Sequence, residues 1–340
     1  MKEISYDRIF ITNIPAFYKL RLYSRVAERK RILVIFLREG NPDRNKDFYK
    51  EDRNFKWVVL PGNSPRGQAI ECIRLLKSLD YNELIIGGWD ELPYWAAAFC
   101  SPRKKNGVVV ESSYLESVTT GVKAWIKRIF LSRISKAYCS GASNIKLVEM
   151  LGFHGKIVKT GGVGLYRRVE QPPFEARREV KNFLYVGRLS PEKNLEFLIR
   201  AFRKLPDLTL SVIGFGPQEA ELKSIVGANV VFQGAVANTN LPKLYQQNDV
   251  FVLPSKSEPW GMVVEEALNN GLPVLVSNRV GCAEEIVVHG KNGMVFEWDS
   301  EESFLAAIRQ LQDVRFYNAL RENIAQRDPV SVEQRQVDCY

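Results

Sequence analysis

The sequence predicts an α/β chain of two doubly wound domains, and three observations carry that reading. Short apolar runs alternate with stretches of helical periodicity through most of the 340 residues, as in strand–helix–strand units around a parallel sheet. The runs are apolar at successive rather than alternate positions, as strands buried on both faces are. The alternation breaks once, at "YRRVEQPPFEARREV" (166–180), and then restarts. That stretch is charged, has a Pro-Pro centre and reads as a linker. The length agrees, since 340 residues exceed one ordinary core.

The expected organisation is an N-terminal domain over 1–165, a linker over 166–180 and a C-terminal domain over 181–340. In the first, "RILVIFL" (31–37), "WVVL" (57–60), "ELIIGG" (83–88), "GVVVES" (107–112) and "AYCSG" (137–141) read as strands. Residues 16–29, 66–79 and 143–151 read as helices between them. In the second, the strands are "NFLYVGRL", "LTLSVIGFG", "NVVFQG", "DVFVLPS" and "PVLVSN". Residues 194–204, 217–226, 240–247, 262–270 and 301–312 read as helices. Ligands of such sheets bind outside the strand carboxyl ends, and two domains facing each other offer a cleft.

Composition narrows the class. Apolar content of 45% and charged content of 26% are globular values. No run of 18 apolar residues predicts a membrane-spanning helix. Met1-Lys2-Glu3-Ile4-Ser5 lacks a secretory plan. Five scattered cysteines without C-x-x-C read as reduced thiols of a cytoplasmic protein. Lys and Arg exceed Asp and Glu by 48 − 39 = 9, which suits a polyanionic partner: nucleic acid, anionic lipid or a phosphorylated substrate.

The chemistry concentrates in "SEPWGMVVEEALNNGLPV" (257–274). A buried strand ends before it, and Gly271 closes the helix it contains. Glu258 therefore falls on the strand-to-helix loop and Glu266 within the helix. Free N–H groups near Gly261, Met262 and Val263 offer an anion site. Carboxylates on either side suit sugar and ribose hydroxyls. Upstream, "YVGRLSPEKN" (185–194) ends a strand at Gly187, places Arg188 after it, and reads as starting a helix with Lys193 in the first turn. A cation there opposes the helix dipole and suggests an anion between them. Arg188 can fork two phosphate oxygens while Lys193 acts as a point charge. In "VIGFGP" (212–217), Gly214 and Gly216 permit close backbone approach.

Taken together, "VGRLSPEKN", "VIGFGP", "VFQGAV", the run from "LYQQNDVFVLPSKSEPWG" to "CAEEIV", and "GKNGMVF" resemble the family-4 glycosyltransferases of GT-B fold over 181–311. The resemblance implies two Rossmann-like domains and a retaining sugar transfer from a nucleoside-diphosphate sugar, UDP- or GDP-linked. It places Glu258 on the donor sugar, Glu266 on the donor ribose, and Arg188 and Lys193 on the diphosphate. Gly187, Gly214, Gly216, Pro259, Trp260, Gly261, Met262 and Val263 would line the donor site. No separate cofactor is expected. There is no D-x-D for a metal, so cationic side chains would serve instead.

The N-terminal half resembles the family more loosely. "NIPAFYKLRLYSRVAER" (13–29) looks like the first strand-to-helix turn, making Asn13 and Pro15 acceptor candidates. Many relatives place a histidine where "GVVVESSYLES" places Glu111, which reads either as a catalytic residue or as an acceptor-binding or capping carboxylate. Asp90 and Glu91 in "GGWDELPYW" are further acceptor candidates. His154 and His289 read as structural. In "VKAWIKRIFLSRISK" (122–136), Val122, Trp125, Ile126, Ile129, Phe130 and Ile134 share a face among basic residues. That reads as a core-facing helix or as one lying on an anionic membrane surface. The resemblance implies a saccharide or polyprenyl-linked saccharide acceptor and surface polysaccharide or lipopolysaccharide biosynthesis, at the inner face of the cell membrane. It also makes the tail, 329–340, a candidate to cross back to the N-terminal domain. An epimerase-like enzyme of the same fold and a non-catalytic glycosyltransferase subunit are the alternatives. A nucleic-acid binder lacks a recognisable module and leaves Glu258 and Glu266 unexplained.

Overall fold

In the computed structural model, which describes residues 5–40, 46–49, 51–62, 64–171 and 173–340, the chain divides into two compact units. One is Met1–Leu165 with Val330–Tyr340, the other Tyr166–Pro329. Residues 1–4, read above for a secretory plan, and Pro172 of the Pro-Pro pair lie outside the described residues.

The first unit is built on β1 (Ser5–Thr12), β2 (Ile32–Phe36), β3 (Lys56–Val59), β4 (Asp80–Ile86), β5 (Asn106–Val110), β6 (Lys136–Cys139) and β7 (Lys156–Lys159). Their order is β3-β2-β1-β4-β5-β6-β7, parallel throughout. β2 is buried at every position, as its unbroken ILVIF predicts. Each such aliphatic side chain contributes about 1.5–3 kcal/mol by leaving water. The helix Pro65–Lys77 starts where Ser64 Oγ accepts from Gly67 N at 3.1 Å, with Pro65 as its first residue.

Three features depart from the sequence reading. β1 was not among the expected strands because Asp7 and Arg8 interrupt its apolar run. Arg8 faces Glu83 of β4 in register, with Nε 3.0 Å from Oε2. Glu83 also accepts from Lys136 Nζ at 2.7 Å and Tyr138 Oη at 2.8 Å. Burial pushes the Glu83 carboxyl up, but these partners outweigh it and hold it below its ordinary value. Second, "ELPYW" is not loop throughout: a helix, Leu92–Cys100, begins after Glu91 with Pro93 in its first turn. Third, the apolar residues of "VKAWIKRIFLSRISK" do not share one environment. Ala124, Phe130, Leu131 and Ile134 are buried, whereas Val122, Trp125 and Ile126 are 72%, 60% and 43% exposed.

Residues 330–340 complete the first unit. Tyr340 stacks on Tyr138 with centroids 4.9 Å apart, Lys30 Nζ donates to the Tyr340 carbonyl at 2.5 Å, and Gln336 Nε2 donates to the Gly161 carbonyl at 3.2 Å.

The second unit contains β8 (Asn182–Val186), β9 (Thr209–Ile213), β10 (Val230–Gly234), β11 (Val250–Leu253), β12 (Val274–Ser277) and β13 (Gly293–Phe296). The order is β10-β9-β8-β11-β12-β13, again parallel. Phe304 of the helix Glu301–Leu311 packs on Phe296 with centroids 5.0 Å apart and on Phe197 at 5.5 Å. Residues 166–180 form no helix or strand where described, yet they are tied to this unit. Arg177 N donates to Asn318 Oδ1 at 2.8 Å, and Gln171 Nε2 donates to the Leu268 carbonyl at 3.2 Å.

In each sheet the winding reverses between the unit's first and fourth strands: β1 and β4 in one, β8 and β11 in the other. Helices leave toward opposite faces there, which opens a crevice at the strand carboxyl ends.

Candidate active site

The loops after β8 and β11 flank the reversal of the second sheet and carry most of the donor-site candidates. β8 ends at Gly187. Tyr185 Oη returns to the Arg188 carbonyl at 2.8 Å, and a Cβ on Gly187 would lie 2.6 Å from that hydroxyl. Arg188 is exposed and has no ion pair to a described residue.

Lys193 does not stand in the first turn of an α-helix. Pro191–Lys193 is a separate 3-10 turn, and Asn194, at φ 59°, divides it from the helix Leu195–Phe202. The expected placement of Lys193 inside the first helical turn is therefore not met; it lies just before the N-cap. Lys193 instead pairs directly with Glu258, their side chains 16% and 13% exposed. The Lys256 N–H donates to the Glu192 carbonyl at 2.8 Å, so backbone as well as charge joins the two loops. Burial pushes the Glu192 carboxyl up, but the Ser190 hydroxyl at 2.5 Å, with Lys193 and Arg188 nearby, leaves it lowered.

The glycines of "VIGFGP" have a use inside the protein. A Cβ on Gly214, whose φ is +137°, would lie 1.8 Å from the Gly187 carbonyl oxygen; one on Gly216 would lie 2.4 Å from that of Leu189. Only bare backbone lets this loop close against residues 187–189. The Leu189 N–H then donates to the Phe215 carbonyl at 3.0 Å.

After β11 the chain reaches Gly261, whose left-handed φ of 97° caps the helix Met262–Asn269. The N–H groups of Met262 and Val263 are among those a helix leaves without an internal partner. Glu266 is the fifth residue of this helix, and its Oε2 accepts from the buried Tyr245 hydroxyl at 3.0 Å. Burial first, then Glu266, raises Tyr245 well above its ordinary value.

Two supports were missed from sequence. Residues 279–282 brace the loop: Gly281 N donates to the Glu258 carbonyl at 2.7 Å and Cys282 N to the Trp260 carbonyl at 2.9 Å. Gly281 is obligatory, since a Cβ would lie 2.0 Å from the Pro259 carbonyl oxygen. Glu265 is the other. It is buried at 4% exposure and accepts from Trp260 Nε1 at 2.9 Å. Burial pushes its carboxyl up to about 8.

In the first unit the candidates gather at the ends of β1, β4 and β5. Asn13 Oδ1 accepts from Ile14 N at 2.9 Å and shapes the turn through Pro15. Glu111 follows β5, and its partner is Lys19, which the sequence reading passed over: Nζ lies 2.8 Å from Oε1 and 3.3 Å from Thr12 Oγ1. Burial pulls the Lys19 ammonium down, but Glu111 together with Tyr18, Tyr23 and Tyr94 outweighs it, and the net is a rise well above an ordinary lysine. Asp90 Oδ1 lies 2.9 Å from where a Cβ on Gly88 would stand. Glu91 is drawn away to Arg38, 2.5 Å from NH2. His289 Nδ1 accepts from Val295 N at 3.1 Å, a structural contact.

The model for glycosyl transferases group 1 matches residues 167–327. The chain is 38% identical over 132 residues to sulfoquinovosyl transferase SQD2 of Arabidopsis thaliana, 38% of this chain and 26% of that protein. It is 32% identical over 142 residues to a GDP-mannose-dependent alpha-(1-6)-phosphatidylinositol monomannoside mannosyltransferase of Mycolicibacterium smegmatis, 37% of each. The chain thus spans only 26% and 37% of the length of those relatives. Among solved structures, the lipopolysaccharide outer core galactosyltransferase WaaB superposes with TM-score 0.72 at 14% identity, covering 99% of both chains. Anabaena Alr3699/HepE in complex with UDP and glucose gives 0.71 at 18%, covering 96% of this chain and 97% of that one. At such identities these two establish the GT-B fold alone.

Proposed function

The model for glycosyl transferases group 1 matches residues 167–327, and on that match we propose that the chain is a member of the family and a retaining glycosyltransferase using a nucleoside-diphosphate sugar. One observation carries the reading. Arg188, the Lys193–Glu258 pair and the N-terminus of the helix bearing Glu266 belong to two loops joined at the β8/β11 reversal. A diphosphate needs cations and N–H donors. The sugar and ribose on either side of it need hydroxyl acceptors, the roles proposed for Glu258 and Glu266.

Chemistry follows from charge. As the bond between the sugar and the diphosphate breaks, negative charge grows on the leaving phosphate. Arg188, Lys193 and the helix N–H groups stabilise that charge. Glu258 fixes the sugar hydroxyls and Glu266 the ribose. A β-phosphate oxygen takes the proton of the attacking hydroxyl, so no separate base is required. The two cations serve where other enzymes use a metal, and binding and turnover are expected to persist in EDTA.

Glu111 is proposed to stand beside the reacting sugar, ion-paired with Lys19. Glu111→Gln keeps its shape, and turnover is expected to fall about 10²-fold with the melting temperature little changed. Near-normal turnover would remove Glu111 from the chemistry.

The donor base is proposed to be uridine or guanosine. UDP accompanies one structural neighbour and GDP-mannose is named for one relative. The acceptor is proposed to be a saccharide or lipid-linked saccharide of a surface polysaccharide or lipopolysaccharide, supported by the named role of WaaB. No helix among the described residues is long and apolar enough to cross a membrane. Peripheral attachment is supported by Val122, Trp125 and Ile126, exposed on the helix Gly121–Leu131 beside Lys123 and Arg128. Arg128 also lines a groove with Arg103 and His154. In a flotation assay the protein is expected to rise with phosphatidylglycerol vesicles and not with phosphatidylcholine. Val122→Ser with Trp125→Ser should reduce that at least about fivefold. Equal flotation of wild type and variant would exclude this face.

A further inference from the structure

We propose that Glu265 is a positioning residue for the donor loop: its buried carboxyl holds the Trp260 indole, and through it the turn that carries Glu258 and the N-terminus of the helix Met262–Asn269. The inference rests on the donor-site reading above and adds a residue to it.

Glu265 lies on the inward face of that helix, with Val264, Ala267 and Leu268, all buried. An aliphatic side chain would fit there without cost, whereas a carboxyl loses its hydration. The choice has a reason in what it touches. Trp260 is 3% exposed, so its indole N–H has no access to water. Glu265 Oε1 accepts that N–H at 2.9 Å across the first turn of the helix. The second oxygen, Oε2, is buried with no hydrogen-bond partner. The carboxyl therefore makes one hydrogen bond, to the loop; its charged neighbours are the Arg327 guanidinium, which attracts it, and Glu266, which repels it.

Trp260 in turn sits between Glu258 and the left-handed Gly261. The Trp260 carbonyl accepts from Cys282 N, and the Glu258 carbonyl accepts from Gly281 N. These bonds hold the loop from outside, and the indole anchors it from beneath. With no acceptor for its N–H, a buried indole turns to find one. The backbone at 260–262 must follow, because Gly261 alone separates the indole from the helix. A shift of about 1 Å in groups aimed at a phosphate is enough to weaken their action severely.

The direction of the contact makes a specific demand. The indole only donates, so Glu265 need only accept. A neutral acid or an amide does this as well as a carboxylate. The test is calorimetric titration of UDP and GDP into wild type, Glu265→Gln, Glu265→Leu, Trp260→Phe and the Glu265→Leu/Trp260→Phe pair, with thermal melting in parallel. Glu265→Gln should bind within about threefold of wild type, while Glu265→Leu and Trp260→Phe should each weaken binding about tenfold or more. The pair should be no worse than either single change, because all remove one hydrogen bond. A residue that serves stability alone would lower the melting temperature and leave affinity in place. If Glu265→Leu does not fold, Trp260→Phe carries the test, since it keeps an aromatic ring at the site while removing the indole donor and the ring that bears it. Wild-type affinity in Glu265→Leu or Trp260→Phe overturns the proposal, and so does a Glu265→Gln as weak as Glu265→Leu. A wild-type protein that binds neither nucleotide overturns the donor reading and this inference with it.

Discussion

Replacing Arg188 with alanine is expected to lower turnover by about 10²–10³, on the order of 3–4 kcal/mol of transition-state stabilisation, with the fold intact. Both halves of that expectation come from its position. The side chain is exposed and holds no described residue in an ion pair, so what its truncation costs the fold is only the longer-range attraction to Glu192. The contact that shapes this turn, Tyr185 Oη to the Arg188 carbonyl, belongs to the backbone and survives. What is lost is a guanidinium that can fork two phosphate oxygens as charge develops on them. Arg188→Lys should recover part of the rate, because a point charge replaces the fork. The measurement is kcat with the donor identified by nucleotide titration, together with a melting curve. A loss below tenfold, or one that tracks a lowered melting temperature, contradicts the assigned role.

Gly214→Ala is expected to cost on the order of 2–4 kcal/mol of folding stability and to weaken nucleotide binding as well. The added methyl would lie 1.8 Å from the Gly187 carbonyl oxygen on a backbone held at φ +137°. Neither partner can yield locally. Gly187 N is bonded to the Ile213 carbonyl at 3.0 Å and Gly214 N to the Gly234 carbonyl at 2.8 Å, so relief must displace the turn that leads to Arg188. Urea unfolding and nucleotide affinity should change together. An alanine variant that unfolds and binds like wild type would mean that this contact does not set the position of the 187–193 loop.

The second sheet was legible because β8, β9, β11 and β12 are buried along most or all of their length and so read as unbroken apolar runs. β1 was not. Its charged Arg8 is acceptable inside only because Glu83, 75 positions later in the chain, is opposite it. β7, KIVK, is short with a lysine at each end, and nothing local separates it from a turn. The site divides the same way. Arg188, Lys193, Glu258 and Glu266 were named from motif and chemistry, and the structure brings their loops together. Lys193 departs from its expected place in the helix, because a left-handed Asn194 leaves it in the turn before. Lys19, Glu265 and Gly281 were not named, for each draws its meaning from a contact: with Glu111, the Trp260 indole and the Pro259 carbonyl. One local sign existed for Glu265. A carboxylate on the apolar face of a helix, one turn after a tryptophan, asks for a partner.

The most direct test of the donor site is a calorimetric titration of UDP, GDP and ADP, in EDTA, into wild type and Glu266→Ala. Wild type should bind one of these nucleotides without metal. The variant should lose at least about tenfold in affinity, 1.4 kcal/mol. Glu266→Gln, which can still accept from Tyr245, separates loss of the ribose contact from disturbance of the helix. Failure of wild type to bind any of the three, with or without EDTA, would contradict a nucleotide-sugar site at the β8/β11 reversal.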